Sequence, residues 1–203
     1  MKYASWPVMV ALSFVFTSEV LAQEWYVAPI KGGPSIRVDV GHRSLCANVP
    51  NLPRGFKIDV IAPERVAYTV KAKPTLYWRV NKKVKGTFVL TVEEMSSGFS
   101  FSEPLVDKFF KLTAKPWRLQ KISLAKLRVR LKKNVDYKWT VALVCNKKMR
   151  SSDIGQSGGI RYVSKPWRVK RNWRTLAKNG VWYDAFRRAS KNKRKRLLRE
   201  IGL

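Results

Sequence analysis

Between residues 137 and 145 the chain alternates with a period of two: Tyr137, Trp139, Val141, Leu143 and Cys145 share one face, and Lys138, Thr140, Ala142 and Val144 take the other. Only an extended strand puts every second residue on one side, so this run demands a second layer that covers its apolar face. The same period recurs upstream. Phe56, Ile58 and Val60 alternate with Lys57, Asp59 and Ile61; Leu76, Trp78 and Val80 alternate with Tyr77 and Arg79; Phe88, Leu90 and Val92 alternate with Thr87, Val89, Thr91 and Glu93. Each predicts a strand with one buried face. Ala62-Pro63-Glu64, residues 81–86 and Ser96-Ser97-Gly98 supply turns between them, and residues 160–163, after Gly158-Gly159, supply a last strand.

Leu131 precedes Tyr137 across a polar turn, Lys132-Lys133-Asn134. That spacing resembles the tyrosine corner of fibronectin-type and immunoglobulin-like sandwiches, in which a Tyr hydroxyl bonds back to upstream backbone. With its many short strands, the chain is expected to be mainly β, an antiparallel immunoglobulin/fibronectin-like β-sandwich rather than an α/β alternation. After Pro166 the period becomes helical. Trp173, Leu176 and Ala177 fall at i, i+3, i+4, Asn179-Gly180 is a suitable left-handed stop, and Trp182, Phe186 and Ala189 continue, with Leu197, Leu198 and Ile201 beyond. A C-terminal α-helical hairpin follows from this pattern. The expected organisation is a signal peptide at 1–22, an irregular lead-in at 23–55 with an edge strand near 35–40, a β-sandwich at 56–165 and a basic helical hairpin at 166–203.

The leader has the composition of an export signal: Met1 and Lys2, an apolar run from Val8 to Phe16, then Val20 and Ala22 at the small-residue positions of a cleavage site. The mature protein then begins at Gln23, in a periplasmic or secreted location. The run is too short to span a bilayer, so no transmembrane segment is expected. Beyond the leader the chain keeps its formal net charge of +29, from 41 basic and 12 acidic residues. An apolar content of 45% is enough to bury a core, so the charge describes the surface rather than disorder. A surface this positive attracts polyanions. Export makes nucleic acid an unexpected partner and leaves envelope polyanions (anionic lipid, lipopolysaccharide) or acidic protein faces.

Cys46 and Cys145 are the two cysteines; in an oxidising compartment they are expected to form one disulfide, the alternative being two buried thiols. No metal and no cofactor is expected: His42 is the one histidine, and neither Cys-x-x-Cys nor His-x-x-x-His occurs. No Gly-x-Ser-x-Gly elbow is present, and Glu93-Glu94, adjacent on a strand, point to opposite faces. A catalytic role is therefore not expected. A glycan-acting enzyme using scattered carboxylates is the alternative.

Ala62-Pro63, Pro74 before Thr75-Leu76-Tyr77-Trp78, Tyr137-x-Trp139 leading to Leu143-Val144-Cys145, and the run from Asn179 through Gly180-Val181-Trp182-Tyr183-Asp184 to Ala185 together resemble a bacterial exported domain-of-unknown-function family, number 928. The resemblance spans about residues 56–190, and its most specific piece is the closing Gly-Val-Trp-Tyr-Asp-Ala run. It implies no activity. Some relatives are encoded beside sensor proteins with extracytoplasmic sensing domains, which implies an accessory or ligand-binding role.

Two sets of binding candidates emerge. Tyr183 and Asp184 could line a groove between hairpin and sheet; aromatics at helical spacing are more often core, in which case Trp182 and Phe186 anchor the hairpin and Asp184 pairs with Arg187, Arg188 or a buried amide. Lys193, Arg194, Lys195 and Arg196 form a basic amphipathic stretch suited to an anionic surface. The expectation is a non-enzymatic exported binding or accessory module of the cell envelope, either sensor-associated or polyanion-binding.

Overall fold

The computed structural model describes residues 25–29, 35–40, 46, 49, 51–95, 103–164 and 172–203. The leader, His42, the Ser96-Ser97-Gly98 turn and Pro166 lie outside them. Nine strands and three α-helices lie among the described residues: β1 (Asp39–Val40), β2 (Ile58–Val60), β3 (Ala67–Thr69), β4 (Thr75–Val80), β5 (Val84–Glu94), β6 (Val106–Ala114), β7 (Gln120–Ser123), β8 (Asp136–Leu143), β9 (Ile154–Tyr162), α1 (Trp173–Lys178), α2 (Trp182–Arg188) and α3 (Lys191–Glu200). A six-stranded sheet has the order β1-β9-β8-β5-β6, with β3 also on β9, and a three-stranded sheet has the order β2-β4-β7. The fold is mainly β with antiparallel sheets and C-terminal helices, as the period-two pattern predicts; among the described strands β3 and β9 pair in parallel.

The alternating residues face inward from both sheets. Phe88, Leu90 and Val92 of β5 and Tyr137, Trp139, Val141 and Leu143 of β8 are fully buried, with Leu76, Trp78 and Val80 of β4 across from them. The Trp78 ring lies 5.0 Å from Phe88 and 6.4 Å from Phe110 of β6, so both sheets meet in one apolar core. The Tyr137 hydroxyl accepts the Lys132 backbone amide at 3.1 Å and donates to Glu94 at 3.2 Å, the upstream bond that the Leu131–Tyr137 spacing predicts. Lys132 completes the group by pairing with Glu94 at 2.8 Å, and the turn closes with Asn134 in the left-handed region at φ 60°.

Several expectations need correction. The last strand begins earlier than residue 160: β9 takes in Gly158-Gly159, where neighbouring segments pack close, since a Cβ on Gly158 would fall 2.8 Å from Ala62 Cβ and one on Gly159 2.9 Å from Val66 Cα. The C-terminal hairpin is three short helices. Gly180 ends α1 at φ +72° as expected, and a second break at Ala189-Ser190, where both residues are extended, separates α2 from α3. The lead-in holds the edge strand β1, which pairs Asp39 with Gln156 and Val40 with Gly155. It also carries Cys46, joined to Cys145 by the expected disulfide across 99 residues of sequence.

Candidate functional site

The five consecutive residues Trp182, Tyr183, Asp184, Ala185 and Phe186 of helix α2 are all buried, although together they cover every side of the helix. A helix wrapped on all sides must find partners for its polar side chains inside the core. Tyr183 is 2% exposed; its hydroxyl donates to Gly159 O at 2.7 Å and accepts from the Trp139 indole at 2.9 Å. Burial pushes its phenol pKa well above the ordinary value, against the Trp139 hydrogen bond, which lowers it. Asp184 is 3% exposed and accepts from the Thr69 hydroxyl at 2.8 Å and the Val70 amide at 2.9 Å. Trp182 donates its indole proton to Ile61 O at 3.1 Å, and Phe186 packs edge-on against Tyr77 at 5.3 Å. Tyr183 and Asp184 therefore face the interior rather than a groove: they tie α2 to β9 and to β3 with the residue after it, and Asp184 holds a backbone amide instead of Arg187 or Arg188.

The basic stretch of α3 divides by direction. Arg194 turns inward, donating to the carbonyls of Phe186 at 2.8 Å and Arg187 at 2.9 Å, so it closes the exposed C-terminal carbonyls of α2. Lys195 is exposed. Lys193 and Arg196, three apart on the helix, reach the opposite way, to a stacked pair of tryptophans. Trp25 and Trp173 lie 5.2 Å apart and nearly parallel. Lys193 Nζ sits 5.4 Å from the Trp173 ring, while the guanidinium groups of Arg196 and Arg174 sit 5.5 Å and 4.5 Å from the Trp25 ring. A cleft of about 360 Å³ opens beside them, lined by Trp25, Arg196, Arg199 and Glu200.

This cluster escaped the sequence. Trp25 and Trp173 are separated by most of the chain, so no local spacing joins them. Arg174 was legible only as part of the general charge. The carboxylates, by contrast, are mostly occupied: Asp59 pairs with Arg79, Glu93 with Lys138, Asp136 with Arg161 and Asp153 with Arg150. Asp153 also accepts the Cys145 amide at 2.9 Å, beside the disulfide. No group of three or more metal-ligating side chains occurs among the described residues. No helix among them is long and apolar enough to cross a membrane.

No curated protein matches the chain. Solved structures with partial likeness include a beta-glucosidase from Listeria innocua in complex with glucose, at 10% identity and a TM-score of 0.29, covering 54% of this chain and 16% of that one. The beta-glucosidase from Listeria innocua in complex with gluconolactone, at 9% identity and a TM-score of 0.30, covers 62% and 22%. The chain thus spans less than a quarter of the length of these enzymes. The family described as Domain of Unknown Function (DUF928) matches residues 45–198, from beside the disulfide cysteine Cys46 through both sheets and α2 to most of α3. By that match, across well over half of its length, the chain belongs to the DUF928 family.

Proposed function

We propose that this protein is a non-enzymatic, exported binding module of the cell envelope, built on an immunoglobulin-like sandwich, that holds a polyanion against its C-terminal helices. The observation that carries this is the convergence of Arg174, Lys193 and Arg196 on the Trp25–Trp173 stack. Among the described residues no carboxylate pairs with any of the three. Like charges gathered without a directly paired carboxylate repel one another, a cost that an anionic ligand relieves, and the flat aromatic faces hold the cations in place meanwhile. Lipopolysaccharide and anionic lipid are the envelope polyanions of that chemistry; a sensor protein's acidic face is the protein equivalent. The alternative of a glycan-acting enzyme needs two free carboxylates facing each other; most described carboxylates are held in ion pairs, and Glu64 and Glu200, which are in none, line one cleft of about 510 Å³.

The test is a triple variant, Lys193→Gln, Lys195→Gln and Arg196→Gln, which spares Arg194 and so keeps the closure of α2. With three charges each worth up to about 1 kcal/mol near an anionic surface, its affinity for lipopolysaccharide should fall by about two orders of magnitude at low salt. Wild-type binding should also weaken steeply as salt rises. Unchanged affinity in the variant would exclude the C-terminal helices as the seat.

A further inference from the structure

A second basic surface lies on the opposite part of the sequence and has a different character. Residues 108–135 contain ten basic residues and no acidic one. They form β6, the outer strand of the six-stranded sheet, then β7, the outer strand of the other, so both open edges on this side of the sandwich are cationic. At the connection between them stands Trp117, 61% exposed, between exposed Pro116 and Arg118. Its backbone is in the left-handed region at φ 57°, a conformation that costs a bulky residue about 1 to 2 kcal/mol.

That conformation is held from several directions. Trp117 donates its amide to Val80 O at 2.7 Å, Arg118 donates to Lys115 O at 3.3 Å, and the Arg79 guanidinium lies 4.9 Å from the indole ring. Arg79 is itself fixed by Asp59 at 2.9 Å. The indole is thus propped outward on a rigid support. Next to it runs a groove of about 650 Å³ whose cationic lining is Arg118, Lys121 and Arg194. Strained backbone that keeps a large apolar ring in water is the pattern expected of a contact residue rather than a core residue.

We propose that this edge docks onto an anionic bilayer surface, with Trp117 entering the headgroup layer and Lys115, Arg118 and Lys121 facing lipid phosphates. A bilayer, rather than a soluble polyanion, is favoured by the ring: Trp partitions to membrane interfaces, where its apolar body and polar N–H are both satisfied, and flanking Lys and Arg meet the phosphate layer. The tetrapeptide Lys-Pro-Trp-Arg of residues 115–118 occurs a second time in the chain, at 165–168, outside the described residues.

The experiment compares co-sedimentation with vesicles of about 30% phosphatidylglycerol in phosphatidylcholine against binding to dextran sulfate, a soluble polyanion without an interface. Trp117→Ala, and Trp117→Gly, which adopts the left-handed backbone without strain, should each lower vesicle affinity by about tenfold and leave dextran sulfate binding unchanged. The double variant Arg118→Gln, Lys121→Gln should lower both by about twentyfold at low salt. Trp117 variants that bind vesicles like wild type would overturn the proposal. So would an equal loss on dextran sulfate, which would make Trp117 a contact for soluble polyanions. The α3 triple variant leaves this edge intact, so the two surfaces fail or succeed separately.

Discussion

Tyr183 accepts one hydrogen bond and donates another while buried, so its ionised form is disfavoured in the folded state. Its folded pKa is raised above the unfolded value, mainly by burial, and Tyr26 and Tyr137 are raised for the same leading reason. A raised phenol pKa means that the protonated form is favoured by folding. The stabilisation is complete below the ordinary phenol value of about 10 and is lost as pH climbs through it. The urea midpoint should therefore be level across neutral pH and fall above about pH 10, with tyrosinate absorbance at 295 nm growing together with unfolding. Tyr183→Phe should flatten part of that fall. A midpoint that holds steady through strong alkali would mean that these hydroxyls are accessible in the native protein.

Among the helices, α2 is the one that packs most heavily against the sheets. Its Trp182 is fully buried, stacks 5.8 Å from Phe186 and meets Tyr26 edge-on at 5.1 Å. Trp182→Ala should cost about 3 to 5 kcal/mol in denaturant melts, and a loss below about 1 kcal/mol would show the helix to be a loose appendage. The anchoring role of Trp182 and Phe186 was legible from their helical spacing, and β4, β5 and β8 from their alternation. β6 was not legible: Lys108, Phe109, Phe110, Lys111 and Leu112 break the period of two, because an outer strand with much of both faces wet need not sort its residues. β3 escaped because Ala-Tyr-Thr is too short to show a period. For the candidate surfaces the limits were of another kind. Sequence gave the charge of α3 but not that Arg194 turns inward, and nothing local marks Trp117 as a residue that stays outside.

For the whole molecule, Cys46–Cys145 matters more than its two positions suggest, because it fastens the lead-in to the end of β8 across 99 residues. Closing a loop of that length restricts the unfolded chain by about 4 to 5 kcal/mol on the chain-entropy model. Replacing both cysteines with serine should lower stability by about 2 to 5 kcal/mol, measured by urea unfolding of both forms without reductant. Reductant should lower the wild type to the same value and leave the variant unchanged. Equal stability of the two forms would mean that the unfolded chain is already compact around this loop.

The position of β9 between early and late parts of the chain sets an order of assembly. β1 and β3 both pair along the edge of β9 that β8 leaves open, at residues 155–156 and 160–162. Neither can settle until a segment about a hundred residues further on has been made, and contacts of such long range slow folding towards the millisecond-to-second regime. Until then β8, among the most apolar strands of the chain, presents an open edge to any neighbour. A fragment that ends before Ile154 would thus carry an open apolar edge, a ready template for aggregation.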